Sequence, residues 1–336
     1  MMPAMRAMQL QACADATSRP LRGVDLPRPE PGPGEILVKV RACGVCRTDL
    51  HVIEGDLPSR KLPLVPGHQV VGTVEAAGPG TARFAAGARV GIAWLRSTCG
   101  TCRHCRAGRE NLCTASAYTG WNADGGYAEY AAVDERYAYA IPDAFADTEA
   151  APLLCAGIIG YRALALAEVP PGGTLALFGF GSSAHVVMQL ARHRGHRVFV
   201  STRGEGHHRL ALELGAEWAG GTFDSPPEPV DSAIVFAPAG EIVPVALRAL
   251  APGGTCALAG IHMSPVPSLD YEACLFHEKK LRSVEANTRA DGEGLLREAA
   301  EAGVRPRVTT FGLEDANEAL VRLKTDRIDG SAVLVP

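Results

Sequence analysis

The sequence predicts an α/β chain in two parts: a β-rich, barrel-like first part, then a parallel sheet of the doubly wound kind. Three observations carry this reading. Up to about residue 150 the chain holds short β-like runs punctuated by Gly/Pro turns. From residue 156 onward, strand-like and helical patterns alternate, as βαβ crossovers onto a parallel sheet require. The length of 336 residues suits about two domains, and it can bury a core without covalent staples.

In chain order, residues 35–40 (EILVKV), 70–75 (VVGTVE) and 88–93 (ARVGIA) read as strands of the first part. The segment PRPEPGPGE just before Ile36 is a stiff entry loop. Residues 156–168 (AGIIGYRALALAE) read as a helix, ended by Pro170-Pro171-Gly172-Gly173. A strand over 174–178, a helix to Arg194, a strand over 197–202 and a helix over 206–214 follow, with further buried strands at 232–236 and 255–259. The linking segment AGGTFDSPPEPVDSAI is too rich in proline for a full helix, so one crossover is predicted to be a loop. Beyond residue 288, two helices (GEGLLREAAEAG and EDANEALVRLK) and a closing strand (AVLV) are expected to fold back onto the first part.

Composition narrows the function classes. Lys and Arg total 33 against 37 Asp and Glu, and no like-charged run stands out, so the chain carries neither a nucleic-acid footprint nor an acidic tail. No apolar stretch is expected to reach the ~18–20 residues of a membrane span, and the first twenty residues do not read as a secretory signal. The expected setting is therefore cytoplasmic, with no membrane or nucleic-acid partner. Ten cysteines are many for such a chain; in a reducing setting they point to thiols and metal sites rather than disulfides.

Four of them, Cys99, Cys102, Cys105 and Cys113, follow the spacing C-x2-C-x2-C-x7-C in STCGTCRHCRAGRENLC. Four thiolates this close suit one tetrahedral Zn²⁺, and a closed shell of four makes its role structural. Disulfides and an iron–sulfur cluster are the competing readings; the bacterial cluster run has a shorter last gap and a following proline. Cys46, His68 and Cys155 are dispersed, each beside a turn glycine or an apolar strand. Taken singly, each reads equally as a small core residue or a satisfied loop histidine.

Gly179-Phe180-Gly181-Ser182-Ser183-Ala184 follows a strand and opens a helix, the context a dinucleotide fingerprint requires, with Ala184 at the G/A position. The helix N-terminus then faces a pyrophosphate. The next strand ends in Ser201-Thr202-Arg203, without the carboxylate that holds the ribose hydroxyls of NAD. Those three residues suit a 2′-phosphate, so NADP(H) is favoured over NAD(H); the counter-reading has Glu205 reaching back to the ribose.

CGVCRTDLH, PGHQVVG, the 99–113 cluster, LLCAG and GFGSSA, in this order, make the chain resemble the zinc-dependent medium-chain alcohol dehydrogenases from about residue 33 to the end. The resemblance implies a GroES-like β-barrel catalytic domain over 1–155, completed by 289–336, and a Rossmann cofactor domain over 156–288. It implies two zinc ions per chain and an NAD(P)-dependent alcohol dehydrogenase acting on a small or medium primary alcohol or aldehyde, as a homodimer or homotetramer. Position by position, Cys46, His68 and Cys155 become the catalytic zinc ligands, with a fourth position open; Cys43 competes with Cys46, but Cys46 directly precedes Arg47-Thr48-Asp49. Thr48 becomes the hydroxyl that takes the alcohol proton, His51 the relay to solvent, Asp49 the carboxylate that orients a ligand imidazole, and Arg47 a pyrophosphate contact. Trp94 and Leu95 are expected to line the substrate cleft, with Tyr118 and Trp121 as further candidates for its wall. The chain departs from the family at Gln69, where Glu is usual, and at Ser331, where a basic residue is common. The alternatives are a zinc-free enone or quinone reductase of the same superfamily, which has no need of all three ligands, and a non-catalytic zinc and nucleotide scaffold.

Overall fold

The structure, a computed structural model, describes residues 4–328 and 330–336. The chain forms two compact units: Met1–Cys155 with Ala286–Ala300 and Arg305–Pro336, and Ala156–Glu285 with Glu301–Val304.

The first unit is built on a sheet in which Val308–Gly312, Ser331–Val335, Glu35–Val45, Gln69–Ala77, Arg89–Ile92 and Ala138–Ala140 lie side by side, with Tyr130–Asp134 also paired to Glu35–Val45. Glu35–Val45 is the organising strand. It is antiparallel to Gln69–Ala77, with Gly44 opposite Gln69, and to Ser331–Val335, with Cys43 opposite Leu334. The tail thus completes the first unit's sheet, as the apolar AVLV pattern predicts. Inward side chains such as Ile36, Val38, Val70, Ile92 and Val133 close a core that excludes water.

The second unit holds six parallel strands in the order Trp218–Gly220, Arg197–Ser201, Thr174–Phe178, Val230–Val235, Leu250–Leu258 and Lys280–Ser283. In sequence terms this is the 3-2-1-4-5-6 order of doubly wound sheets, whose ligand crevice lies at the carboxyl ends of the strands where the order reverses. Thr174–Phe178, at that reversal, is buried along its whole length, which is why it reads as an unbroken apolar run. The crossover from Trp218–Gly220 to Val230–Val235 contains no helix, as its prolines require.

The helix predicted over 156–168 begins nine residues earlier. Asp147–Pro152 runs into a π-helical turn, Leu153–Gly157, and then into Ile158–Ala167. Pro152 has no N–H for the ladder, and the widened turn follows it directly. The whole run of 21 residues, Asp147–Ala167, is long and apolar enough to cross a membrane, which corrects the expectation that no such stretch exists. Its most apolar window is 67% buried within the fold, so its greasy surface is spent on the core.

Phe178 is fully buried among Ala176, Phe199 and Val235 in the second unit. Phe178→Ala is expected to cost about 3–5 kcal/mol and to lower the thermal midpoint, while zinc content, which depends on the first unit, stays unchanged by elemental analysis.

Candidate active site

Three elements bring Cys46, His68 and Cys155 together. Cys46 caps the helix Arg47–Glu54, His68 directly precedes the strand Gln69–Ala77, and Cys155 lies in the π-helical turn. The Cys46 sulfur is 3.4 Å from His68 Nε2 and 3.9 Å from the Cys155 sulfur, and all three donor atoms lie within 4.8 Å of one another. A tetrahedral zinc with ordinary Zn–S and Zn–N bonds sets its ligand atoms about 3.5–3.8 Å apart, so the spacing fits the ion. Cys43 is not part of this group of donors and packs in the barrel core.

Asp49 holds this arrangement. One carboxylate oxygen accepts from the Cys46 backbone N–H at 2.9 Å, and the other lies 3.1 Å from His68 Nδ1. With Nδ1 committed, Nε2 is the metal-facing nitrogen. Burial disfavours a charged His68, but Asp49 and the Cys46 sulfur outweigh it and push the imidazole up to about 10. The Cys46 thiol is also raised, first by its contact with Cys155 and then by burial. Two sulfurs this close resist ionising together unless a cation lies between them, and the cluster's field favours positive charge. Donor chemistry and spacing both fit Zn²⁺.

The second cluster is closed. Cys99, Cys102, Cys105 and Cys113 place their sulfurs within 4.8 Å of one another, with contacts of 3.5 Å (Cys102–Cys105), 3.6 Å (Cys99–Cys113) and 3.9 Å (Cys99–Cys105). These are far beyond a disulfide bond of about 2.05 Å and match the edges of a four-thiolate zinc tetrahedron. The backbone N–H groups of Thr101 and Cys102 pull the Cys99 thiol down to about 6, which favours its thiolate form.

Around His68 stands an aromatic wall. Trp94 meets its ring edge-on at 4.9 Å and stacks on Tyr118 at 5.0 Å and Trp121 at 5.7 Å. Val52 and Leu64 pack with Trp94. Leu95, its neighbour in sequence, packs in the barrel core. Thr48 is half-buried on the first turn of the Cys46-capped helix. His51, one turn further on, holds Asp56 at 2.8 Å through Nδ1. Arg47 is ion-paired with Asp326 and not presented alone to an anion. Gln69 is buried, and its Nε2 has no hydrogen-bond partner among the described residues. Ser331 opens the C-terminal strand, opposite Val308.

In the second unit, Gly179-Phe180-Gly181 links Thr174–Phe178 to the helix Ser182–His193. Gly179 N donates to Ser201 O at 2.8 Å, which sets the loop beside the next strand's end. A Cβ at Gly181 would meet nothing within 4 Å, and Ala184 is buried one turn along the helix. Open space before a helix N-terminus fits an anionic pyrophosphate. Ser201 and Thr202 are buried, and Ser201 Oγ donates to Asp224 O at 3.1 Å. Arg203 is the exposed member of the three.

Three donors suited to zinc and a doubly wound sheet with a glycine loop at its switch point fit a zinc-dependent nicotinamide oxidoreductase. Residues 32–143 match the alcohol dehydrogenase GroES-like domain and residues 184–301 the zinc-binding dehydrogenase domain. The chain is 49% identical to a probable alcohol dehydrogenase AdhA of Mycobacterium tuberculosis, over 98% of this chain and 97% of the relative. It is 36% identical to an alcohol dehydrogenase of Geobacillus stearothermophilus, over 96% and 98% respectively. The cobalt- and zinc-bound thermostable alcohol dehydrogenase from Pyrobaculum aerophilum superposes with a TM-score of 0.90 at 26% identity, over 99% of this chain and 100% of that one. The chain belongs to the zinc-binding medium-chain alcohol dehydrogenase family. Its activity is that of a zinc-dependent, NAD(P)-dependent alcohol dehydrogenase.

Sequence reasoning named the seven donors of the two clusters, whereas the Asp56 carboxylate beside His51 comes from the structure. The signal was the glycine at 55, which ends the His51 helix and turns the next residue back over it.

Elemental analysis is expected to find two zinc ions per chain. Cys102→Ser should lose one of them and lower the thermal midpoint, because structural zinc contributes folding energy directly.

Proposed function

We propose that the chain interconverts small or medium primary alcohols and aldehydes, with NADP(H) favoured over NAD(H). The observation that carries the substrate reading is the Trp94 ring against the zinc ligand His68, backed by Tyr118 and Trp121. Stacked flat rings narrow the space beside the metal, and a narrow apolar site rejects branching at the reacting carbon. When bound, zinc polarises the alcohol oxygen as a Lewis acid, and the nicotinamide exchanges the hydride.

The chain's own residues do the remaining work. Cys46, His68 and Cys155 hold the catalytic zinc, and Asp49 orients His68 through Nδ1. Thr48 takes the alcohol proton and His51 passes it to water, since a hydroxyl beside the ligand and an imidazole on the same helix offer a short path. The four-cysteine cluster stabilises the catalytic unit, made of the first 155 residues and the C-terminal tail. The second unit binds the dinucleotide through Gly179, Gly181 and Ala184. Arg47, already paired with Asp326, contributes positive charge for the pyrophosphate. The presence of all three zinc ligands disfavours a zinc-free reductase, and Thr48 with His51 disfavours a scaffold.

The cofactor preference rests on Arg203 more than on its neighbours. Ser201 and Thr202 point inward, whereas Arg203 lies exposed at the strand end, with no carboxylate in the ribose-binding position. An arginine fork binds phosphate bidentately. The NAD reading keeps Glu205, exposed on the first turn of the next helix. We also propose a homodimer or homotetramer in the cytoplasm, supported by the open edge strand Lys280–Ser283 with Leu281 exposed.

Two experiments test these readings. Across an alcohol panel, Trp94→Ala should raise kcat/KM for a branched secondary alcohol relative to a linear primary one by roughly tenfold; an unchanged ratio counts against the narrow-pocket reading. Wild type should show a higher kcat/KM with NADPH than with NADH. Arg203→Ala should cut the NADPH value by about ten- to a hundredfold, the ~1.5–3 kcal/mol of a charge-assisted contact, and leave the NADH value nearly constant.

A further inference from the structure

We propose that Asp56 is a positioning residue for proton transfer, fixing the tautomer and orientation of His51 so that Nε2 alone takes and releases the proton. The inference rests on the reading of His51 as the relay. His51 Nδ1 lies 2.8 Å from Asp56 Oδ2. An ionised carboxylate only accepts, so Nδ1 carries its hydrogen whether the imidazole is neutral or charged. Nε2 is then the one nitrogen whose protonation changes.

The backbone, and not the ion pair, delivers this carboxylate. The helix Arg47–Glu54 ends at Gly55, whose φ of 84° is a left-handed conformation that side chains resist. The chain doubles back, and Leu57 N donates to His51 O at 3.1 Å. The turn is anchored from its other side: Cys13 Sγ donates to Val52 O at 3.6 Å, and Ala14 N to Ile53 O at 3.0 Å. Asp56 therefore arrives over the ring by a reversal that other contacts hold.

Neighbouring charges are engaged elsewhere. Arg47 pairs with Asp326, Glu54 with Lys324, and Lys61 with Asp124, while Arg60 lies over the Trp121 ring. Asp56 meets His51 through Nδ1. The His51 side chain is 18% exposed and that of Asp56 49%, so the imidazole is largely shielded and its carboxylate faces water. In alcohol oxidation the O–H bond breaks, an N–H bond forms at Nε2, and that proton then passes to water. Asp56 stays ionised throughout, and no electrons move at either residue.

The test is the single-turnover rate of hydride transfer to NADP⁺ in the zinc-loaded enzyme, read for Asp56→Ala, Asp56→Glu, His51→Gln and the His51→Gln/Asp56→Ala double variant. Asp56→Ala should slow the step by roughly two- to fivefold, the scale of a half-exposed ion pair, with alcohol KM and zinc content unchanged. Asp56→Glu should restore the rate. A small amine base added to the buffer should recover Asp56→Ala, which a merely structural defect would not show. In the His51→Gln background, Asp56→Ala should add nothing. A wild-type rate in Asp56→Ala while His51→Gln is slow, or a loss that multiplies onto that of His51→Gln, overturns the Asp56 inference alone. A wild-type rate in His51→Gln sinks the relay reading and this inference with it.

Discussion

One carboxylate holds two of the three catalytic ligands. Asp49 receives the Cys46 backbone N–H on one oxygen and faces His68 Nδ1 with the other. Cys46 and His68 are 22 residues apart, and each arrives on a different element, so their sub-4 Å approach depends on a shared buried anion. That anion is itself fully enclosed, and a buried charge persists only where partners and counter-charge offset its desolvation. Asp49, the ligand sulfurs and the cation they favour therefore form one electrostatic unit. Removing any member leaves the others unsatisfied in a low-dielectric interior.

The sheet is what makes this unit rigid. Cys43 and Gly44 lie on Glu35–Val45 just before Cys46, and Gln69 follows His68 on the paired strand, with Gly44 directly opposite Gln69. The two ligands are the residues at which two hydrogen-bonded strands end or begin. Their separation is therefore set by strand register, which a one-residue slip would invert. Rigid strand ends suit a metal site better than loops do, because ligand geometry tolerates little drift.

Much of this was legible in the sequence, for identifiable reasons. The four-cysteine cluster is local, so its spacing alone carries the geometry. Parallel strands buried on both faces read as apolar runs, and the proline-rich crossover reads as a loop. The dispersed ligands were legible only through their ordered motifs, because nothing local states that residues 46, 68 and 155 meet. Other features stayed hidden because three-dimensional context decides them. Leu95 and Trp94 are adjacent and both apolar, yet one packs in the barrel core and the other against His68. Nothing in the sequence states that the Ser201 hydroxyl donates to the Asp224 carbonyl, 23 residues on. The early start of the helix around Cys155 was masked by Pro152, normally a sign of interruption.

That widened turn at Leu153–Gly157 acts as a phase shifter. An α-helix advances 100° per residue, whereas a single π turn inserts one residue without adding a full step of rotation. Cys155 sits inside the insertion, where the helical ladder is one residue wider. Asp147–Pro152 buries Ala150 and Ala151, Ile158–Ala167 buries Ile158, Ala163 and Leu164, and Cys155 lies in the turn that joins them. Deleting one residue there would make a more regular helix. It would also swing the sulfur by roughly a quarter turn from Cys46. The irregularity is the part of the helix that belongs to the metal, and continuous packing on both sides is what keeps it from relaxing into a regular helix.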